Sequence, residues 1–497
     1  MTAASAKLER AGALGSAAIV LAVLLTLLWP AAWLGRPTSF ADSSTYYNGG
    51  AFAVARALDV AGIGRSRAGP GRPASDEGAA ISRAGPADEG DAPRVAANVR
   101  SVPYSVYAYL TTRLAGPLGP VVPVAAGTAW LIWLMTAGLG HRAALAAGVG
   151  TAALTTAPLY ASQYMPDILA AWLIMIPIVL VRRLGGRARA PRPMRPALLI
   201  ALAAMALFAT LSHYAHIPLA GAMGVGLAVV LWRRARARGR GWPLRRLAAW
   251  ALLPLAVASA VNLALSALLP GGASVTPARL PLVLARSLAD GPAVAYLERN
   301  CGQVDYAICE VYDTFPTTVA EFLWADDNVR ARATPDQMAR ISAEELSLVW
   351  AVFRFDPLGQ TRALVGNVAE QFVRFGLGDM GTGAFRIGAD GRMTLVPAPH
   401  LRAQLRPIEW IERAVVAASA LALAVLAWRR PGARVPVGLL VLGLLANAAV
   451  CGGLSAPADR YQGRVIWLTV LLAATLALER RPAPGRSHAA RDDIAPG

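Results

Sequence analysis

Long, nearly uncharged apolar runs constrain this chain more than any other feature. They occupy about 11–34, 118–139, 142–160, 167–181, 196–213, 217–232, 247–269, 409–428, 435–454 and 464–479. Each approaches the length a helix needs to cross a hydrocarbon layer roughly 30 Å thick. Backbone N–H and C=O groups find no water there, so a spanning segment of this kind must be helical. The expected fold is an all-α polytopic membrane protein with about ten transmembrane helices.

The arginines orient these runs. Arg142 follows the second. Arg182, Arg183, Arg187, Arg189, Arg192 and Arg195 separate the fourth from the fifth. Arg233, Arg234, Arg236, Arg238, Arg240, Arg245 and Arg246 separate the sixth from the seventh. Arg429, Arg430 and Arg434 lie between the eighth and ninth, and Arg480 and Arg481 follow the tenth. All of these segments share one side if the N-terminus is cytoplasmic, as the positive-inside rule requires. The expectation is cytoplasmic N- and C-termini, with 35–117 and 270–408 outside. Lys7 and Arg10 precede the first run, and Trp29 and Trp33 end it as interfacial anchors. An uncleaved first helix is preferred to a removed signal peptide, whose apolar core is shorter.

Composition fits this reading. The chain is 56% hydrophobic yet carries a formal charge of +18, two values that conflict in a soluble globule. Apart from Lys7 every basic side chain is arginine, clustered as topology signals rather than as a nucleic-acid-reading surface. Richness in Arg and Ala without an organelle signal points to a bacterial inner membrane.

The domains expected are a transmembrane module over 1–269, an extracytoplasmic subdomain over 270–408, and C-terminal helices with a tail over 409–497. Within the first outer loop, 51–61 and 99–114 read as interfacial helices, the second carrying Tyr104, Tyr107 and Tyr109. Residues 64–94, rich in Gly, Pro, Ala, Arg and Asp, read as a disordered insertion. The second loop reads as small and mostly helical. Thr334-Pro335 and Ser342 with Glu345 look like helix starts, and Pro357 suits a first helical position. Cys301 and Cys309 lie close together on the oxidising side and are expected to form a disulfide.

With this topology, Asp42, Asp167, His213, His216, Asp459, Arg460, Tyr461 and Arg464 share one membrane depth at the outer boundary. Ionisable groups there are costly unless paired or functional. Each has a structural reading: Asp42 and Asp167 as helix caps, the histidines bonded to backbone, the arginines snorkelling or paired with Asp459. Together they suggest a site. If the last helix begins early, Arg460 and Arg464 fall on one face, and two guanidiniums suit a phosphate or diphosphate.

This order of residues resembles the C-type glycosyltransferase superfamily, such as aminoarabinose or galacturonic acid transferases to lipopolysaccharide and protein mannosyltransferases. The likeness lies in topology over about 11–480 and in short motifs. It implies a polyprenyl-phosphate sugar as donor and a lipid, glycan or protein as acceptor. It matches Asp42 to the acid of the first outer loop, Asp167 to the second acid, and Arg460 with Tyr461 to a late Arg-Tyr element. Ser43 stands where many relatives carry a second acid beside the first. Displacing a polyprenyl phosphate from an anomeric carbon needs a base for the acceptor hydroxyl and cations for the leaving phosphate. Asp42 suits the first role; Arg460 and Arg464, with Tyr461, His213 or His216, suit the second, and inversion is expected. A divalent metal held by Asp42, Asp167 and a histidine is an arrangement these residue types also allow. A transporter or flippase of a lipid-linked glycan and an O-antigen-type polymerase are the alternatives. Few charges at the bilayer midplane count against a transporter.

Overall fold

Helix occupies every one of the apolar runs. The computed structural model describes residues 3–61, 63, 100–184, 195–237, 244–266, 280–396 and 401–479. The insertion at 64–94, and Arg187, Arg189, Arg192, Arg238, Arg240, Arg480 and Arg481, lie outside the described residues.

The first run forms α1 (Ala3–Leu27) and α2 (Trp29–Leu34), split just before Pro30. Then come α3 (Ser43–Val60), α4 (Val102–Ala115), α5 (Val121–Thr136), α6 (His141–Leu154), α7 (Ala157–Ala161), α8 (Leu169–Leu184), α9 (Pro196–Leu211), α10 (His216–Ala237) and α11 (Leu244–Ser266). Four helical stretches, His216–Ala237, Gln404–Arg429, Pro431–Leu454 and Asp459–Leu478, are long and apolar enough to cross a membrane, among the described residues. Val102–Leu118 and Val121–Thr136, bent by 89°, make a fifth if counted as one span. Ten crossings therefore exceed what helix length alone supports. α5, α8 and α9 have 16 residues each and α6 has 14. The shortening has local causes: Pro117 and Pro120 precede α5, and the chain breaks at Thr155 and Thr156 after α6.

α8 is apolar on every face, the pattern of a central helix. Every residue from 155 to 179 is buried, which places α8 and the segment before it at the middle of the bundle. The two interfacial segments form α3 and α4, which pack on each other. Tyr46 meets Tyr104 edge-on at 5.1 Å, and Tyr47 meets Tyr109 at 5.2 Å.

The next segment forms α12 (Leu282–Ala289), α13 (Pro292–Asn300), α14 (Ala307–Val311), α15 (Val319–Leu323), α16 (Val329–Arg332), α17 (Pro335–Phe355) and α18 (Pro357–Val373). From Leu280 to Val352 it has an apolar core of its own, including Leu284, Ile308, Phe322, Ile341 and Leu348. Cys301 and Cys309 are bonded, as expected, with Cα atoms 5.5 Å apart. Pro357 opens α18.

The expected helix start at Ser342 is not one. Thr334 and Gln337 already form a capping box for α17, and the helix runs through Ser342, whose hydroxyl donates to the Met338 carbonyl. Glu345, 1% exposed, instead accepts from the N–H groups of Val283 and Leu284 at the start of α12. A hairpin of β1 (Ala384–Ile387) and β2 (Met393–Val396) follows, antiparallel with Phe385 opposite Leu395. Leu377, Met380 and Met393 are buried in the core of the bundle, so the second expected loop is divided between two cores. Finally α19 (Leu401–Arg429), α20 (Arg434–Leu454), α21 (Asp459–Ile466) and α22 (Leu468–Leu478) complete the bundle.

Candidate functional site

α20 stops before Ser455-Ala456-Pro457, and the chain re-enters helix at Asp459. The short α21 that results ends at Trp467, where α22 begins. It starts early enough to put Arg460 and Arg464 one turn apart on a single face. Both guanidiniums lie over the Tyr461 ring, at 4.8 Å and 5.4 Å from its centroid. Gly463 leaves room for Tyr160 against this helix, since a Cβ there would lie 2.3 Å from the Tyr160 hydroxyl.

Each arginine faces an acid from a distant part of the chain. Arg464, with 1% of its side chain exposed, donates to Asp167 Oδ1 at 3.0 Å. It also donates to Asn447 Oδ1 at 3.0 Å and to Cys451 Sγ at 3.2 Å. Arg460 Nη1 stands 3.6 Å from Asp42 Oδ2, and its guanidinium lies 3.8 Å over the Phe40 ring. Asp42 occupies the N-cap position of α3 but makes no side-chain cap bond; its other oxygen pairs with Arg100. Asp42, Asp167, Arg460, Tyr461 and Arg464 are thus brought together. The site retains unused hydrogen-bonding capacity: Asp167 Oδ2, Arg460 Nη1 and Arg464 Nε are buried without a hydrogen-bond partner.

Residues that sequence reasoning missed complete the cluster. Arg100 borders the insertion, where one more arginine among many carries no signal. Tyr46 is fully buried. Burial raises its phenol well above the ordinary value, against the pull of Arg100 and Arg460 and reinforced by Asp42 and Asp167, so it remains a donor. Arg330, on α16, is lowered by burial and then by the charge of Arg100, which puts a further cation within electrostatic reach.

The histidines are adjacent, with ring centroids 5.2 Å apart. His213 Nδ1 accepts from the Ala215 N–H. His216 Nδ1 lies 2.7 Å from the Ala209 carbonyl, which can only accept, so this nitrogen carries the proton. His216 Nε2 is buried without a hydrogen-bond partner. Asp42 and Asp167 each face guanidiniums, and among the described residues no group of three or more His, Cys, Asp or Glu is placed to hold an ion.

A segment rich in glycine, 374–383, ties these parts together. Ser39 and Gly381 exchange both backbone bonds, at 2.8 Å and 2.7 Å. The Arg460 N–H donates to Asp379 Oδ2 and the Gly378 N–H to Asp459 Oδ2, each at 3.2 Å. Asp459 also pairs with Arg374 rather than with Arg460 or Arg464.

Comparison of the chain with protein-family models, with curated proteins and with solved structures finds no match. The site's chemistry lies in its own atoms. It joins carboxylates able to accept a proton to guanidiniums able to hold an anion, and places them where a buried helix bundle meets a helical lobe.

Proposed function

We propose that this protein is a membrane glycosyltransferase that moves a sugar from a polyprenyl phosphate to a lipid, glycan or protein acceptor at the outer face of a bacterial inner membrane. Its ten apolar helices cross the membrane with both termini cytoplasmic, and the lobe over 280–355 lies outside. The observation that carries this reading is the pairing of two acids with the two arginines of one helical face, whose Arg460 Nη1 and Arg464 Nε donors are unspent. A lipid-linked phosphate needs a cationic site at the end of the helices, because its chain stays in the bilayer.

Asp42 takes the proton of the acceptor hydroxyl as that oxygen bonds to the anomeric carbon. The bond from that carbon to the phosphate oxygen breaks, and the polyprenyl phosphate leaves with the electron pair. Arg460 and Arg464 stabilise its charge, with the Arg100 guanidinium and the Tyr46 hydroxyl within reach of the same anion. One displacement inverts the anomeric centre. Asp167 holds Arg464 in place. The incoming phosphate competes with Asp42 for Arg100 and Arg460, so donor binding frees the carboxylate that the chemistry needs. No step is routed through a metal ion.

The test is turnover of radiolabelled polyprenyl-phosphate sugars by the purified protein in lipid vesicles, with release of polyprenyl phosphate measured. Transfer to an acceptor supports the reading. Transbilayer movement of the lipid without cleavage would replace it with a flippase.

A further inference from the structure

Asp379 lies on none of the elements that carry the acids and arginines, yet it touches the backbone of one of them. Its Oδ2 accepts from the Arg460 N–H at 3.2 Å, in the first turn of α21. Asp459, in the same turn, returns a bond of 3.2 Å from the Gly378 N–H. These two bonds clasp residues 378–379 to residues 459–460 in both directions. Two residues further along the strap, Gly381 exchanges backbone bonds with Ser39, and the Gly383 N–H donates to the Ser39 hydroxyl at 2.9 Å. Ser39 precedes Phe40, the ring on which the Arg460 guanidinium rests, and Asp42, its ion-pair partner. The strap therefore fixes both partners of the Asp42–Arg460 pair to one short stretch of backbone. Gly381 must be glycine for this, because a Cβ would lie 2.8 Å from the Ser39 carbonyl oxygen.

We propose that Asp379 is a positioning residue of the donor-phosphate site: by holding the Arg460 backbone at the start of α21, it sets where that guanidinium meets the lipid-linked phosphate. This rests on the function proposed above. Asp379 itself does not touch the donor. Its effect travels through one hydrogen bond whose acceptor is an oxygen, and an amide oxygen serves that bond as well as a carboxylate oxygen.

Variants at Asp379 and Arg460 test it, read by donor binding and by steady-state kinetics. Binding of a polyprenyl monophosphate to the detergent-solubilised wild-type protein is measured first; if none binds, the proposed function fails and the positioning role falls with it. Given binding, D379A raises donor KM roughly tenfold and leaves kcat within about threefold, the size of effect that loss of a helix-terminal bond produces. D379N, which keeps the acceptor, stays within about twofold of wild type in both constants. Adding D379A to R460A produces no further rise in donor KM, since the group being positioned is gone. Unchanged donor KM in a folded D379A protein overturns the proposal. So does D379N as impaired as D379A, because the charge and not the bond would then be acting.

Discussion

The bundle and the helical lobe both hold ion pairs, but they hold them in opposite surroundings. In the bundle, Arg464 and Asp167 expose only 1% and 3% of their side chains. In the lobe, Arg332 and Asp327 expose 45% and 69%. The lobe is held by its own apolar core and by the Cys301–Cys309 bridge, and its exposed pairs decorate that core. Within the bundle the pair is itself interior, and either charge alone would be expensive there. The same two residue types are surface features in one region and structural commitments in the other.

Four measurements sharpen or break this contrast. The largest effect belongs to Asp42, where a charge at the buried site is proposed to do chemistry. Asp42→Asn keeps the size and removes the base, so turnover falls about 10²–10⁴-fold with donor binding largely kept. Unchanged turnover in a folded preparation would shift the base to another acid.

Next comes the buried pair. Arg464→Ala leaves Asp167 uncompensated and lowers stability by about 3–5 kcal/mol in reversible unfolding in detergent. The double variant Arg464→Met with Asp167→Leu removes both charges and recovers most of that loss. If the double variant is no better than the single, burial of charge is not what distinguishes the bundle.

In the lobe, Cys301→Ser with Cys309→Ser releases a bridge between residues 8 apart. Chain entropy alone assigns such a loop about 2–3 kcal/mol. The loss is confined to protease sensitivity of 280–355 and leaves donor binding intact.

The smallest effect is at the exposed pairs. Arg332→Ala lowers the lobe's melting temperature only slightly. Glu310, Glu321 and Asp327 are held below the usual carboxylate range by Gln337 and Arg340, by the Thr317 N–H, and by Arg332, respectively. Their contribution is complete above the unfolded carboxylate value of about 4 and disappears as pH falls through the lowered folded values. The lobe's melting temperature is therefore flat from pH 7 to about 5 and declines below about 4.

Apolar length was legible because a helix in lipid leaves no other backbone solution, and all ten runs are helical. The face shared by Arg460 and Arg464 was legible because four-residue spacing in a helix has one meaning. Their partners were partly so: Asp42 and Asp167 were singled out by depth, whereas Arg100 sits among many arginines beside the insertion. The strap was invisible for a different reason. Its two bonds with Ser39 through Gly381 run backbone to backbone, and such contacts leave little side-chain pattern beyond four glycines at 376, 378, 381 and 383. The Ser342–Glu345 motif misled because a capping box is local chemistry, while Glu345 serves α12, far away in sequence. Reading 142–160 as one run missed the break at Thr155, because hydropathy registers apolarity and not the end of α6.

The pairing of Asp167 with Arg464 spans 297 residues of chain. During synthesis the acid emerges first, and its cation follows after roughly 15–60 s at ordinary elongation rates. Through that interval Asp167 lacks the guanidinium that compensates it in the finished bundle, where a lone charge is expensive. The last helices to be made are thus the ones that complete the buried pair at its centre.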